Sequence, residues 1–328
     1  MYRVFILSFF LILAGCAEND GIFPTTSSYA LIHGEEASDA EYGATVAISV
    51  KSGDNYRAYC TGILIEEDVV LTAAHCVSDT PDMPFSQLYE NNKISVIVAQ
   101  DASNPETDRI FTLKDIYVHF LYHYERSVHD LALIRLDRPV PETLAQPIPY
   151  APYSAETRHE MYYSGKVTFV GYGVDEMDGD NKRLFYTGQI YDYCPMIGNP
   201  EDCYLKLPNG EMMQIPVGTL MYDLEKGGPC SGDSGGPVLT ELDGNRYVIG
   251  IISFGDANCS VYSVSSSIPD HSEWIEETLH PKPKKDSCST MTVSKTESGI
   301  MEMFLLLLLS CLLNFIKKMR INTRNYKI

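Results

Sequence analysis

The chain has 328 residues, 45% of them hydrophobic and 11% aromatic, which is enough apolar material for one large domain or two small ones and too much for a disordered chain. With 25 Lys and Arg against 44 Asp and Glu, a formal charge of -19, it offers no broad phosphate-neutralising face, so a nucleic-acid partner is excluded. The charge is uneven: residues 281–328 carry nine basic and three acidic side chains, so the acidic surplus lies before them.

In chain order, the first predicted segment is a signal peptide, residues 1–15, with Arg3 ahead of an apolar run from Val4 to Leu13. Its last residues and the next, Leu13-Ala14-Gly15-Cys16, resemble the bacterial lipobox. That resemblance implies a lipid on Cys16, export to a bacterial cell envelope and attachment to a membrane there. Residues 16–30 then read as a propeptide or linker. From 31 to 280 the chain is built of short β-branched and apolar runs, at 44–50, 63–71, 94–99, 131–136, 167–170 and 247–254, separated by clusters of Gly, Pro, Asn and Asp. This predicts an all-β body of barrels or sandwiches. One helix is expected at its end, capped at Asp270-His271, with Trp274, Ile275 and Leu279 on one face. Residues 281–299 form a linker rich in Lys, Ser and Thr. Residues 300–328 hold an apolar stretch from Met303 to Ile316 followed by Lys317, Lys318 and Arg320. That stretch is shorter than the about 20 residues that span a bilayer, and the basic end suits a membrane or sorting segment.

Nine cysteines in an exported chain point to disulfides, because the exported compartment is oxidising. Cys16, Cys288 and Cys311 lie outside the body. Cys60, Cys76, Cys194, Cys203, Cys230 and Cys259 lie inside it, and six cysteines allow 15 pairings.

Three segments carry the chemistry. Leu71-Thr72-Ala73-Ala74-His75-Cys76 puts a histidine at the end of a strand. His129-Asp130-Leu131-Ala132-Leu133-Ile134 opens an apolar strand with a carboxylate whose burial demands a partner. Gly232-Asp233-Ser234-Gly235-Gly236-Pro237 sets a serine in a tight glycine turn whose backbone N–H groups are free to face a ligand. Each alone is more often structural than catalytic. Together, in the order His, Asp, Ser at separations of 55 and 104, they resemble the trypsin/chymotrypsin family of serine proteases. Gly171-Tyr172-Gly173 and Ser253-Phe254-Gly255 are similar to two further family marks, each with its tryptophan replaced.

The resemblance implies two six-stranded Greek-key β-barrels with a C-terminal helix and a serine endopeptidase site between the barrels. It implies His75 as general base, Asp130 as its partner, Ser234 as nucleophile, the amides of Gly232 and Ser234 as oxyanion hole, and Ser253 in support of Asp130. It orders the disulfides as Cys60–Cys76 and Cys230–Cys259, leaving Cys194 and Cys203 as a local bridge. It implies activation by cleavage between Ala30 and Leu31, the new terminus pairing with Asp233, although Leu31-Ile32-His33-Gly34 departs from the family's Ile-Val-Gly-Gly start. By the same alignment Gly228 lies at the base of the substrate pocket, with Gly255 and Ser260 on its walls and Ser253 and Phe254 along it. An uncharged open pocket favours a large apolar residue before the scissile bond, such as Phe, Tyr, Leu or Met. A loop between Cys259 and Tyr262 that is shorter than in the family brings Asp256 towards the pocket as the rival.

No cofactor or metal is needed for this chemistry. Asp101, Asn104, Glu106 and Asp108 form a loop of oxygen ligands of the kind calcium takes, although solvated carboxylates are the commoner state. The partners expected are protein or peptide substrates and a membrane, reached through Cys16, the C-terminal segment or both, and the protein is expected to be a monomer. Two rival readings exist. One is a catalytically silent, protease-like surface binding protein, which gives no reason to retain the triad. The other is an esterase, because Gly232 to Gly236 also fits G-x-S-x-G with Asp270 and His271 downstream, but the body lacks the strand–helix alternation that fold requires.

Overall fold

Short runs of β-branched residues bounded by turns pair with chain neighbours, and the computed structural model shows the result for residues 31–281, except 82, 155–156, 158–164, 174–180, 197–202, 207–209, 211 and 225. The signal, Cys16, the segment 16–30 and the C-terminal segment all fall outside the described residues. From the first half come β1 (Glu35–Glu36), β2 (Thr45–Ser52), β3 (Asn55–Glu66), β4 (Val69–Thr72), β5 (Ile94–Ile97), β6 (Ile110–Phe111), β7 (Leu113–Val118) and β8 (Ala132–Leu136). From the second come β9 (Lys166–Gly171), β10 (Leu184–Cys194), β11 (Tyr204–Lys206), β12 (Met212–Gln214), β13 (Thr219–Asp223), β14 (Pro237–Leu242), β15 (Asn245–Gly255) and β16 (Tyr262–Ser267).

The strands form two barrel-like sheets and a small ribbon. The first sheet runs β6-β5-β2-β3-β4-β8-β7 and the second β1-β10-β13-β16-β15-β14-β9, with β9 also pairing β10 so that the second closes on itself. Each therefore holds six strands of four residues or more, the number the resemblance implies, plus a two-residue edge strand, β6 or β1. β11 and β12 make the ribbon. Both barrels belong to one unit that ends at Pro281.

Central strands are buried on both faces, which their composition allows: every residue of β4, Val-Val-Leu-Thr, is buried. The run 63–71, read from sequence as one strand, is broken at Glu67 and Asp68, where the chain turns from β3 into β4. Asp68 is held there by Arg135 of β8, whose Nη1 donates to both carboxylate oxygens at 2.9 Å.

The terminal helix spans Ile268–Leu279, starting two residues before the expected cap. Pro269 sits in its first turn, where a missing N–H costs nothing, so Asp270 and His271 lie inside the helix. Ile275 is buried, and Trp274 and Leu279 pack against the core of the first barrel. No helix among the described residues is long and apolar enough to cross a membrane.

Two buried side chains of the second half tie the barrels together. Tyr172 packs among Ala47, Ala58, Ile97 and Ala102, and its hydroxyl donates to the Ala99 carbonyl with the Thr45 carbonyl 3.2 Å away. Arg183, with no exposed surface, donates from Nη1 to Thr45 O at 2.9 Å and to the Tyr172 hydroxyl at 3.2 Å, and from Nη2 to Asp39 Oδ1 at 2.5 Å. A buried guanidinium is tolerable only with its donors satisfied.

Candidate active site

The His75 segment follows β4 as a single turn of 3-10 helix, Ala74–Val77. A disulfide from Cys76 to Cys60 on β3 pins that turn to the sheet. His75 binds Asp130 twice: its backbone N–H donates to Oδ1 at 2.9 Å and its Nδ1–H to Oδ2 at 2.7 Å. Asp130 is 1% exposed. It takes a third bond from Ser253 Oγ of β15 at 2.5 Å, while its own carbonyl accepts from Ser266 Oγ of β16 at 3.2 Å. Burial alone pushes the Asp130 carboxyl up and the His75 ring down. Their mutual attraction and hydrogen bonds, with Ser253 adding to the carboxylate's, reverse both, leaving Asp130 below the usual carboxylate range and His75 above an ordinary imidazole.

Ser234 stands on a turn that only glycine can build. Gly235 has φ +81°, and a Cβ on it meets the Thr72 hydroxyl and the Thr61 carbonyl at 2.1 and 2.3 Å. The turn is clamped to β3: Thr61 N–H donates to Ser234 O at 2.8 Å and Thr61 Oγ1 to Gly232 O at 3.0 Å. Asp233 N–H and Gly235 N–H are used within the fold, whereas the Gly232 and Ser234 amides donate to no partner among the described residues. Two free amides beside a half-exposed hydroxyl make a pocket for a developing oxyanion. Ser234 Oγ and His75 are not hydrogen-bonded to each other here, and such contacts commonly tighten only around substrate.

Asp233 is fully buried below this turn. Its carboxylate accepts from Gly173 N–H and Cys230 N–H, both at 2.9 Å, and among the described residues no salt bridge reaches it. Burial outweighs those two amides and pushes the carboxyl up to about 7. A carboxyl whose folded value lies above its unfolded one stabilises the fold below about pH 4 and loses that contribution as pH rises towards 7. The uncleaved chain should therefore lose up to about 1.4 kcal/mol of stability per pH unit across that window from this group. Urea unfolding at several pH values checks it: the stability gap between wild type and Asp233→Asn is expected to change from pH 4 to pH 7, and a constant gap contradicts the assignment.

Leu31 is buried, and the adjacent Ile32 exchanges backbone bonds with Gly228 at 2.9 and 3.2 Å. Gly228, expected at the pocket base, has φ +143° with Leu224 close by, and its neighbour Pro229 lines the pocket. The pocket, about 150 Å³ beside Ser234, is lined by Pro229, Cys230, Ser231, Ile252, Ser253, Phe254, Gly255, Asp256, Ala257, Cys259 and Ser263. Ser260 is not among them, because its N–H bends back to the Asp256 carboxylate at 3.2 Å. Asp256 does reach the wall, but its oxygens are taken by the amides of Asn258, Ser260, Val261 and Tyr262 at 2.8 to 3.3 Å. Burial raises this carboxyl, and those four amides together hold it below its ordinary value.

Cys230–Cys259 closes the pocket loops and Cys194–Cys203 forms a local bridge before β11. Asp101, Glu106 and Asp108 do not converge: Asp101 caps its own loop through Ser103 N–H at 2.8 Å. Asp270 is occupied by the Tyr193 hydroxyl at 2.7 Å and His271 by the Ser267 carbonyl at 2.6 Å, so neither serves Ser234 as the esterase reading requires. Thr61 and Ser266, which position the turn and the Asp130 backbone, gave no sequence signal, since each is an ordinary hydroxyl inside a strand.

Two barrel-like sheets holding a buried Asp–His pair opposite a serine in a glycine turn define a serine-hydrolase arrangement. A sequence profile of the trypsin family matches residues 31–275, and the chain belongs to that family of serine proteases, whose chemistry needs no cofactor. It is 25% identical over 271 residues to CLIP domain-containing serine protease C9 of Anopheles gambiae, covering 77% of this chain and 69% of that one. Chymotrypsin-C of Rattus norvegicus is 25% identical over 287 residues, covering 85% of this chain and 99% of its own. Hepatocyte growth factor activator serine protease of Mus musculus is 27% identical over 241 residues, 70% of this chain but 34% of its own. These relatives are animal proteins, and nothing in them supports the bacterial source read from residues 13–16.

Proposed function

We propose that the chain is a catalytically competent serine endopeptidase acting on protein substrates through an acyl-enzyme. The observation that carries this reading is the hydrogen-bonded line Ser253–Asp130–His75 beside Ser234, together with the two unused amides of Gly232 and Ser234. Asp130 holds His75 in the tautomer whose Nε2 lone pair is free. His75 then takes the Ser234 proton as Oγ attacks the carbonyl carbon, and returns it to the leaving amine. The tetrahedral oxyanion settles between the Gly232 and Ser234 amides, each donor contributing about 2.7 to 4 kcal/mol in comparable sites. Labelling with a serine-reactive phosphonate, followed by peptide mapping, tests it: modification at Ser234 is expected, and an unlabelled, folded protein leaves the silent binding protein as the reading.

The substrate residue before the scissile bond is neutral and of modest to large size. Gly228 brings no charge to the pocket, and a guanidinium facing Asp256 has to compete with four backbone amides already bound to it. Matched peptides with Phe, Leu, Ala and Arg at this position are expected to be cleaved fastest with Phe or Leu, by at least tenfold over Arg. Fastest cleavage of the Arg peptide, lost in Asp256→Asn, assigns the preference to that carboxylate instead.

Export, processing between Ala30 and Leu31, and pairing of the freed Leu31 ammonium with Asp233 complete the proposal. The buried carboxyl of Asp233, which has no ion pair among the described residues, and the seating of Ile32 against Gly228 support the last step. Lipid on Cys16 and the apolar segment at 303–316 are the proposed membrane attachments, the first retained only until cleavage after Ala30.

A further inference from the structure

Twelve and two residues before Leu131, which opens the apolar run of β8, the chain places two histidines that the proposed hydrolytic site does not use, and the terminal helix brings a third against them. His119 and His271 are buried, 6% and 2% exposed, and His129 is half-buried. The His119 ring stacks on His129 with centroids 4.7 Å apart, and His271 meets both edge-on at 5.4 and 5.3 Å. One ring nitrogen from each lies within 4.8 Å of the other two. His129 Nδ1 and His271 Nε2 are already 3.0 Å apart. That is close to the edge of a tetrahedron with metal–nitrogen bonds of about 2.0–2.1 Å, roughly 3.3 Å.

We propose that His119, His129 and His271 form a three-histidine site for a divalent transition-metal ion of the zinc type, with solvent in the fourth position. The donor set selects the metal. Three imidazoles without a carboxylate suit zinc, copper or nickel and reject calcium and magnesium, which require oxygen ligands. His271 is already oriented as a ligand: its Nδ1–H donates to the Ser267 carbonyl at 2.6 Å, which leaves the Nε2 lone pair facing the cluster. His129 presently donates its Nδ1 proton to that lone pair. Metal binding replaces the proton between them, and the proton moves to His129 Nε2 within the neutral ring. At His119 the Nδ1 lone pair accepts from Leu121 N–H at 3.3 Å, a long contact that coordination through either nitrogen gives up. Burial, and then the neighbouring imidazoles, depress His119 to about 3, and burial depresses His271 to about 4, so the rings are neutral at pH 7 and their lone pairs need not be freed of a proton by the metal. His129 adopts φ +51°, an uncommon conformation for a side chain of its size, which sends its ring towards the terminal helix while the next residue, Asp130, faces His75.

Trp274, the one tryptophan of the chain, has its ring 4.8 Å from His119 and reports on the site. In a titration of the full chain with Co²⁺, stoichiometric quenching of Trp274 fluorescence is expected together with the visible absorption bands of four-coordinate cobalt, both displaced by Zn²⁺ and not by Ca²⁺. His119→Gln and His271→Gln are each expected to weaken Zn²⁺ binding by calorimetry at least tenfold, and His75→Ala to leave it unchanged. Near-UV circular dichroism checks that the variants are folded, and if His271→Gln is not, His119→Gln decides alone. Absence of binding to the wild type, equal binding by folded His119→Gln, or loss of binding in His75→Ala alone overturns the proposal. None of these readouts depends on peptide hydrolysis.

Discussion

Replacing Ser234 with Ala is expected to lower kcat for peptide hydrolysis by on the order of 10⁶-fold, leaving a residue of activity from the oxyanion hole and binding. Among the described residues the Ser234 hydroxyl has no hydrogen bond to lose, because the turn is held through backbone atoms, by Thr61 N–H on the Ser234 carbonyl and by Gly235 N–H on the Ile252 carbonyl. The variant should therefore unfold at the same urea concentration as the wild type while its KM changes little. His75→Ala should fall by a similar factor, and the double variant little further, because the two side chains act as one unit. Burst kinetics with an ester substrate measure the loss directly. Retention of near-normal hydrolysis by a purified Ser234→Ala protein contradicts the acyl-enzyme mechanism.

Asp130→Asn is expected to cost about 10⁴-fold in kcat near neutral pH. The reason lies in the donors aimed at this carboxylate. Three hydrogens converge on it, from the His75 amide, His75 Nδ1 and Ser253 Oγ, and an Asn side chain has one oxygen to offer them. Wherever its NH₂ faces Nδ1, the ring must turn acceptor there and carry its proton on Nε2, the wrong tautomer for a base. The pH profile carries a second signature. Asp130 holds the His75 ring above its ordinary value, so wild-type activity should fall as pH drops through a value above 6.5, and removing the charge should move that acid limb downwards. A variant with reduced kcat but an unmoved acid limb assigns the limb to another group.

The segments of His75, Asp130 and Ser234, on which the proposed mechanism rests, stood out in the sequence because their neighbours are constrained by the same geometry. Gly235 must be glycine for the turn, and Cys76 must be cysteine for the bridge to Cys60, so the marks survive in the letters. The pocket was not legible. Its walls depend on how a loop closes between Cys230 and Cys259, and here the Asp256 carboxylate gathers four amides and folds Ser260 away. Among the strands, six apolar runs were legible, whereas β7, β10, β13, β14 and β16 were not, and β16 is the clearest case. Its sequence, Tyr-Ser-Val-Ser-Ser-Ser, reads as a surface, yet Ser263, Ser265, Ser266 and Ser267 are all buried. One of these serines, Ser266, braces the Asp130 backbone through its hydroxyl. The histidine cluster was hidden for a simpler reason. Its members are separated by 10 and 142 residues and meet only when the terminal helix docks on the first barrel.

The clamp that Arg183 and Tyr172 make across the two barrels has a consequence in time. His75 and Asp130 are carried by the first barrel, whereas Ser234 and the bracing Ser253 are carried by the second. A chain emerging from the ribosome, amino terminus first, completes the base and its carboxylate long before the nucleophile exists. On the proposed mechanism nothing synthesised up to that point can cut a peptide bond, and in the finished chain Tyr172 and Arg183 join the two halves through the Thr45 carbonyl. On that mechanism the order of synthesis keeps the growing chain inactive until its second half is made, and the proposed cleavage after Ala30 extends the delay beyond folding.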